Sequence, residues 1–258
     1  MHDAASARLL VLATAVPWLV FLAFSPITKI QPNWPVVALL PGTILLALWL
    51  GRRRRLPTPG GRAGAAAFIA AGVVFGGGLV VVMHRTDWLM PVFARMARNA
   101  PPWDLTPVAK YDPTARLRGW ADLGRAVGEV LAQEHAAGRE PFLLAEDYQL
   151  AAEIAFYTPG EPRVYSAQSA LGGRMSQYDI WPNPIRNRAE FVGRPCLYIG
   201  SLHPILTGER GGTPVLTDLR LARSVVHEVR GHPVRIWSIY TSRAFAGFPD
   251  AASPARKY

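Results

Sequence analysis

The stretch GRRRRLPTPGGR, residues 51–62, holds five arginines and no acid. On both sides of it the chain is apolar. No Asp, Glu, Lys or Arg occurs from Leu9 to Ile27, from Ile30 to Leu50 or from Ala63 to Met83. Each run reaches the roughly 20 residues needed to cross a hydrocarbon core about 30 Å thick. The first run exceeds the usual ~7 to 15 residue core of a secretory signal and has no clear small-x-small cleavage site, so it reads as a retained span. Beyond His84 such runs disappear. The expected fold is therefore a membrane α-helical part, residues 1–84, with three transmembrane helices at about 9–27, 30–50 and 63–83. An interfacial connector at 85–110 follows, and then an extracytoplasmic α/β (α+β) domain with a small mixed sheet, 111–258.

Lys and Arg are retained in short cytoplasmic loops, which puts Arg52–Arg55 and Arg62 inside. The N-terminus is then cytoplasmic, the first and third spans run outward, and the C-terminal domain lies on the periplasmic or extracellular side of the plasma membrane. The turn between the first two spans falls on that same outer side. The net charge of +10 is uneven: residues 1–84 hold seven Lys or Arg against one Asp, and the remainder 21 against 17. The soluble part has no basic stripe or stacked-aromatic pattern, which argues against nucleic acid as a partner. One cysteine, Cys196, rules out an internal disulfide, and its surroundings, GRPCLYIGS, read as a buried strand.

The outer turn, TKIQPNWPVVALLP at Thr28–Pro41, combines Lys29, Gln31, Asn33 and Trp34 between prolines. Trp34 suits the headgroup layer and Lys29 a lipid phosphate; plain interfacial anchoring is the simpler reading of both. In the third run, Gly72, Gly76, Gly77 and Gly78 would let helix backbones approach closely, which points to further helices from a partner chain or another part of the protein.

In the soluble part, VFARMARN reads as a short interfacial helix. YDPTARLRGWADLGRAVGEVLAQEHAAG reads as one helix with Asp112 as cap and Gly138 past its end, burying Leu117, Trp120, Leu123, Val127, Val130 and Leu131. PFLLAE, RVYSA and CLYIGS read as short strands, and DYQLAAEIAFYTPG as a helix stopped by Pro159 and Gly160. LARSVVHEVRGHPVRIWSIYTSRAF reads as two longer strands around a turn at Arg230–Pro233. The tail ASPARKY reads as frayed.

HEVRGH does not form a zinc site, because its histidines are five apart across a turn rather than four apart on a helix. Ser201 and His203 lack a nucleophile elbow. No metal, cofactor or catalytic residue is assigned. The loop GGRMSQYDIWPNP offers Arg174, Gln177, Tyr178, Asp179 and Trp181, a mixture suited to holding a polyol by hydrogen bonds and stacking. A polar surface loop with Trp181 tucked into the core is the simpler alternative. Glu146 and Asp147 read as a strand end and a helix cap, at a place where α/β domains bind ligands.

Together, KIQPNWPVVALLP, the basic loop, DPTARLRGW, FLLAEDYQLAAEIAFYTPGEPRVY and MSQYDIWP resemble the C-terminal half of bacterial membrane glycosyltransferases of the GT-C fold. These include the dolichyl-phosphate-mannose protein mannosyltransferases and the aminoarabinose lipid A transferases. The resemblance implies transfer of a sugar from a polyprenyl-phosphate carrier to an outer-face acceptor, with membrane lipid and the carrier-linked sugar as partners. It also implies a catalytic carboxylate in a first outer loop that this sequence does not contain, and Asp3 lies on the inner side. The expectation is a C-terminal piece, a split-gene product or a degenerate copy, incomplete alone, with a second chain supplying the missing helices. By that resemblance Lys29, Gln31, Asn33 and Trp34 lie near the carrier phosphate, and the Arg174–Trp181 loop meets acceptor or carrier. The alternative is a non-enzymatic, membrane-anchored module binding a periplasmic ligand or partner.

Overall fold

The computed structural model describes residues 4–27, 34–54, 59–209 and 212–249. About half of the chain is helical. It divides into two compact units, Met1–Val81 and Val82–Tyr258.

In the first unit α1 (Ala4–Phe24), α2 (Leu39–Arg54) and most of α3 (Pro59–His84) are apolar. Among the described residues two helical stretches are long and apolar enough to cross a membrane, Ala5–Phe24 and Ala63–His84. The run between them takes another form. A 3-10 turn at Trp34–Ala38 leads into α2, with Pro41 in its first turn where a missing donor costs nothing, and the apolar helix Val36–Arg52 stands at the short end of the length that crosses a bilayer. Gly42 lets α2 approach α1: a β-carbon there would stand 3.2 Å from Thr14 Cγ2. Trp49 meets Phe68 of α3 edge to face at 5.7 Å. Gly72, Gly76, Gly77 and Gly78 have nothing within 4 Å of a built β-carbon.

In the second unit, β1 (Phe142–Ala145), β2 (Val164–Ser166) and β3 (Cys196–Ile199) are parallel, and the hairpin β5 (Arg220–Val229) with β6 (His232–Ser242) adds to β3 antiparallel. Among the described residues these make one mixed sheet in the order β2-β1-β3-β6-β5; β4 (Leu216–Thr217) and β7 (Ala244–Phe245) pair separately. Arg230 and Gly231, with φ of 51° and 76°, make the two-residue hairpin turn whose handedness matches strand twist.

The β1 and β3 side chains are all buried, because layers cover both faces. On one face α5 (Trp120–Ala136) and α6 (Tyr148–Tyr157) bring Leu123, Val127, Leu150 and Ile154 against Leu143, Leu197 and Ile239. On the other, Phe191, Leu206, Val215 and Phe245 pack on Phe142, Leu144, Cys196 and Tyr198. Truncating fully buried Leu123 to Ala removes about 2 to 5 kcal/mol.

The helix expected from Asp112 begins only at Trp120. Gly119, at φ 79°, is in a left-handed conformation that a continuing helix cannot contain, and a 3-10 turn at Ala115–Leu117 precedes it. Asp112 is buried in its own turn instead: Oδ1 accepts from the Thr114 amide at 2.8 Å and from Thr114 Oγ1 at 2.7 Å, with Arg118 Nε 3.5 Å from Oδ2. Leu117, expected on the buried face, is exposed. Residues in 85–110 share a cluster with the sheet end: Met90 and Phe93 of α4 (Met90–Met96), with Ala97 and Val108, pack against Ala115, Val229 and Val234.

Candidate functional site

The chain leaves β1 towards β2 on one side, while β3 lies on the other. Diverging connections of this kind open a crevice beyond the carboxyl ends of parallel strands. Here that crevice is a cleft of about 680 Å³. Glu146 and Asp147 follow β1 into it, Gly200 and Ser201 follow β3, Tyr148 and Glu153 come from α6, and Trp120, Arg235 and Trp237 line the facing wall.

Two backbone constraints shape the floor. Gly200 has φ 138°, and a β-carbon there would stand 2.5 Å from Glu146 Cβ, so only glycine lets the Glu146 carboxylate fold over the end of β3. Glu146 Oε2 then accepts from the Ser201 amide at 2.7 Å, and Tyr198 Oη donates to the Ser201 carbonyl at 2.8 Å. Burial, reinforced by the nearby Glu146 charge, pushes the Tyr198 phenol well above its ordinary range, so it stays a protonated donor. Asp147 caps α6, its Oδ1 accepting from the Leu150 amide at 2.7 Å.

The wall is a cation lying against two indoles that touch each other. Arg235 Cζ lies 4.2 Å from the centre of the Trp120 ring and 4.6 Å from that of Trp237, and the two rings are 5.5 Å apart. Arg235 Nη1 donates to the Arg116 carbonyl at 3.0 Å, as does Trp120 Nε1 at 2.9 Å. Desolvation lowers the Arg235 pKa, with the Arg116 charge acting the same way, while Asp147 and Glu153 act in opposition. Guanidinium nonetheless remains charged. Behind it, His227 sits opposite Arg235 in the hairpin register, and its Nδ1 is 2.7 Å from Asp122 Oδ2. Gly119 leaves space for this stack, since a β-carbon there would come within 2.7 Å of both His227 and Trp237. A fixed cation and carboxylates around one cleft suit a polyhydroxylated ligand bearing an anionic group.

The residues singled out in the sequence fall in three places. Lys29, Gln31 and Asn33 lie outside the described residues, and Trp34 is described only as the backbone opening a 3-10 turn. Arg174 reaches the main cleft indirectly: its guanidinium bonds to Tyr148 Oη and lies 5.2 Å over the Tyr148 ring. Tyr178 and Trp181, meeting at 5.5 Å, line a separate pocket of about 280 Å³ with Glu161, Arg163 and Tyr165. Trp181 is exposed rather than in the core, whereas half-buried Tyr178 has its phenol pKa raised by desolvation. Gln177 is exposed. Asp179 faces inward: it accepts from the Ser176 amide at 2.7 Å, from Ser176 Oγ at 3.2 Å and from Ser169 Oγ, closing a capping box. Its carboxylate holds the loop together.

Trp120, Arg235 and Trp237 were not singled out as ligand groups. Arg235 and Trp237 are two apart on a strand, hence on one face, and that alternation is the only local signal they carry. His227 and His232 stand on opposite strands of the hairpin. Among the described residues no group of three or more His, Cys, Asp or Glu converges. No family model, no curated protein and no solved structure matches the chain.

Proposed function

We propose that this chain is the C-terminal portion of a polyprenyl-phosphate-sugar-dependent membrane glycosyltransferase, transferring a sugar to an outer-face acceptor. Three membrane-crossing segments anchor it with Arg52–Arg55 cytoplasmic, and further helices, on a second chain or elsewhere in the same protein, pack on the glycine face of α3. The cleft beyond β1 and β3 is the place for a sugar, and, by the sequence resemblance alone, Lys29 serves a carrier phosphate. The observation that carries the reading is the cleft beyond β1 and β3, where Arg235, held against half-buried Trp120 and buried Trp237, stands with Glu146 and Glu153 and offers a cation to an anion and carboxylates to hydroxyls. The sequence resemblance described above supplies the reaction class.

Binding of two probes to the full chain in lipid nanodiscs tests this: a short-chain polyprenyl phosphate, and the same carrier linked to a hexose. The hexose-linked form is expected to bind more tightly. Arg235→Ala is expected to weaken it by about 10- to 150-fold, the range of a lost hydrogen bond to a charged group. Lys29→Ala is expected to weaken both probes. If neither probe binds, the reading fails.

One observation favours a second reading, a non-enzymatic ligand-binding module. Glu146 and Asp147 are both already engaged by backbone amides, an arrangement that positions them more than it frees them to move protons. Hexose-linked carrier that binds but is never consumed, even with the additional helices co-reconstituted, selects this reading.

A further inference from the structure

The strip of chain just after α3 has two faces. Met90, Phe93 and Ala97 are buried in the cluster with Val108, Val229 and Val234. Trp88, Val92 and Met96, spaced four apart, point the other way and are 47%, 52% and 54% exposed. Arg85 lies over the Trp88 ring with its Cζ 4.6 Å from the centroid, and Arg95, three residues past Val92, is exposed on the same side. Between residues 85 and 110 there are four basic and two acidic residues. One of the acids, Asp87, is already paired, 3.3 Å from Arg85 and 3.4 Å from Arg230.

An indole, two apolar side chains and flanking arginines on one face are what the headgroup layer of a bilayer selects. Chain connectivity says why a bilayer is the occupant. Trp88 is four residues past His84, the end of an apolar helix none of which is buried in its most hydrophobic window. At about 3.6 Å per residue it cannot be farther than about 14 Å from that helix end. A soluble partner would have to fit into that gap. Lipid is already there if α3 crosses the membrane.

We infer that Trp88, Val92 and Met96 seat in the outer headgroup layer of an anionic phospholipid bilayer, so that α4 fixes the second unit against the membrane surface. This rests on the reading that α3 crosses the bilayer, and it adds a contact which that reading does not require.

Spin labels test it in the full chain, in nanodiscs containing phosphatidylglycerol. Cys196 is buried, so cysteines introduced as Val92→Cys, Met96→Cys and Phe75→Cys are the sites that react with label under native conditions. Relaxation by oxygen, which concentrates in hydrocarbon, is compared with relaxation by a water-soluble nickel chelate. The expected ratio of oxygen to chelate is highest at position 75 and intermediate at 92 and 96, with oxygen still dominant. Chelate dominance at 92 and 96 with a deep position 75 overturns the inference and leaves the span intact. Chelate dominance at all three positions removes the span and the inference together. Protection from both reagents at 92 and 96, with spin–spin broadening that grows with protein density, shows a second copy on the strip and also overturns it.

Discussion

Gly124 of α5 and Tyr157 at the end of α6 touch backbone to backbone: a β-carbon on Gly124 would lie 2.4 Å from the Tyr157 carbonyl carbon and oxygen. The approach sets the tilt of α6, and with it the position of Asp147 and Tyr148 at the cleft. Gly124→Ala must therefore push the helices apart rather than displace a flexible side chain. The expected cost is about 1 to 3 kcal/mol, the range for overpacking, seen as a lower thermal midpoint. A midpoint equal to that of the native chain would show that α6 moves freely on α5.

Asp179 separates a structural role from a ligand role. Asp179→Ala removes a buried carboxylate that accepts from Ser176 and Ser169, so stability should fall by about 1 to 3 kcal/mol. Affinity for the hexose-linked carrier should stay unchanged in molecules that remain folded. A loss of affinity at native stability would return Asp179 to the list of ligand groups.

Glu134 and Arg139 give a pH-dependent effect of known sign. Hydrogen bonds from Arg139, at 2.6 and 2.7 Å, hold the Glu134 carboxyl below its ordinary value of 4.5. A depressed carboxylate stabilises the fold above its unfolded pKa, and the contribution disappears as pH falls through the folded value. Arg139 is half exposed, so solvent screening keeps the contribution of the pair small. Arg139→Gln should lower stability slightly at pH 7 and not at all once Glu134 is protonated in both forms. Denaturation midpoints compared at pH 7 and below the carboxylate range check it.

Cys196 offers a clock for opening of the sheet. It is buried in β3, and desolvation raises its thiol pKa well above the ordinary value of 9.0, so little thiolate forms in the folded state. Maleimide labelling should be slow in native buffer and accelerate with denaturant in parallel with loss of structure. Rapid labelling without denaturant would show that the β7 side of the sheet opens locally.

Some of these features are written in local sequence. FLLA and CLYI are unbroken apolar runs because both of their faces are covered, and the β5–β6 hairpin announces itself through β-branched alternation around Arg230-Gly231. Asp179 was also legible in principle: Ser176-x-x-Asp179 has the spacing of a capping box, and the sugar-ligand reading passed over it. The start of α5 was obscured because Leu117 and Trp120 keep helical spacing across Gly119, and spacing cannot report a left-handed φ. The indole–guanidinium stack was invisible for a different reason. Trp120 and Trp237 are brought together by the packing of a helix on a strand that follows it by about a hundred residues.

The strand order carries a consequence for how the domain is made. β6 lies between β3 and β5, yet it is the last long strand to leave the ribosome. Until residue 242 is synthesised, β3 has a bare margin, and Leu197 and Ile199 lack the Ile239 and Trp237 that complete their layer. A chain released before His232 is therefore a half-sheet, with an adhesive border for any neighbouring chain, and quality-control proteases would find it there.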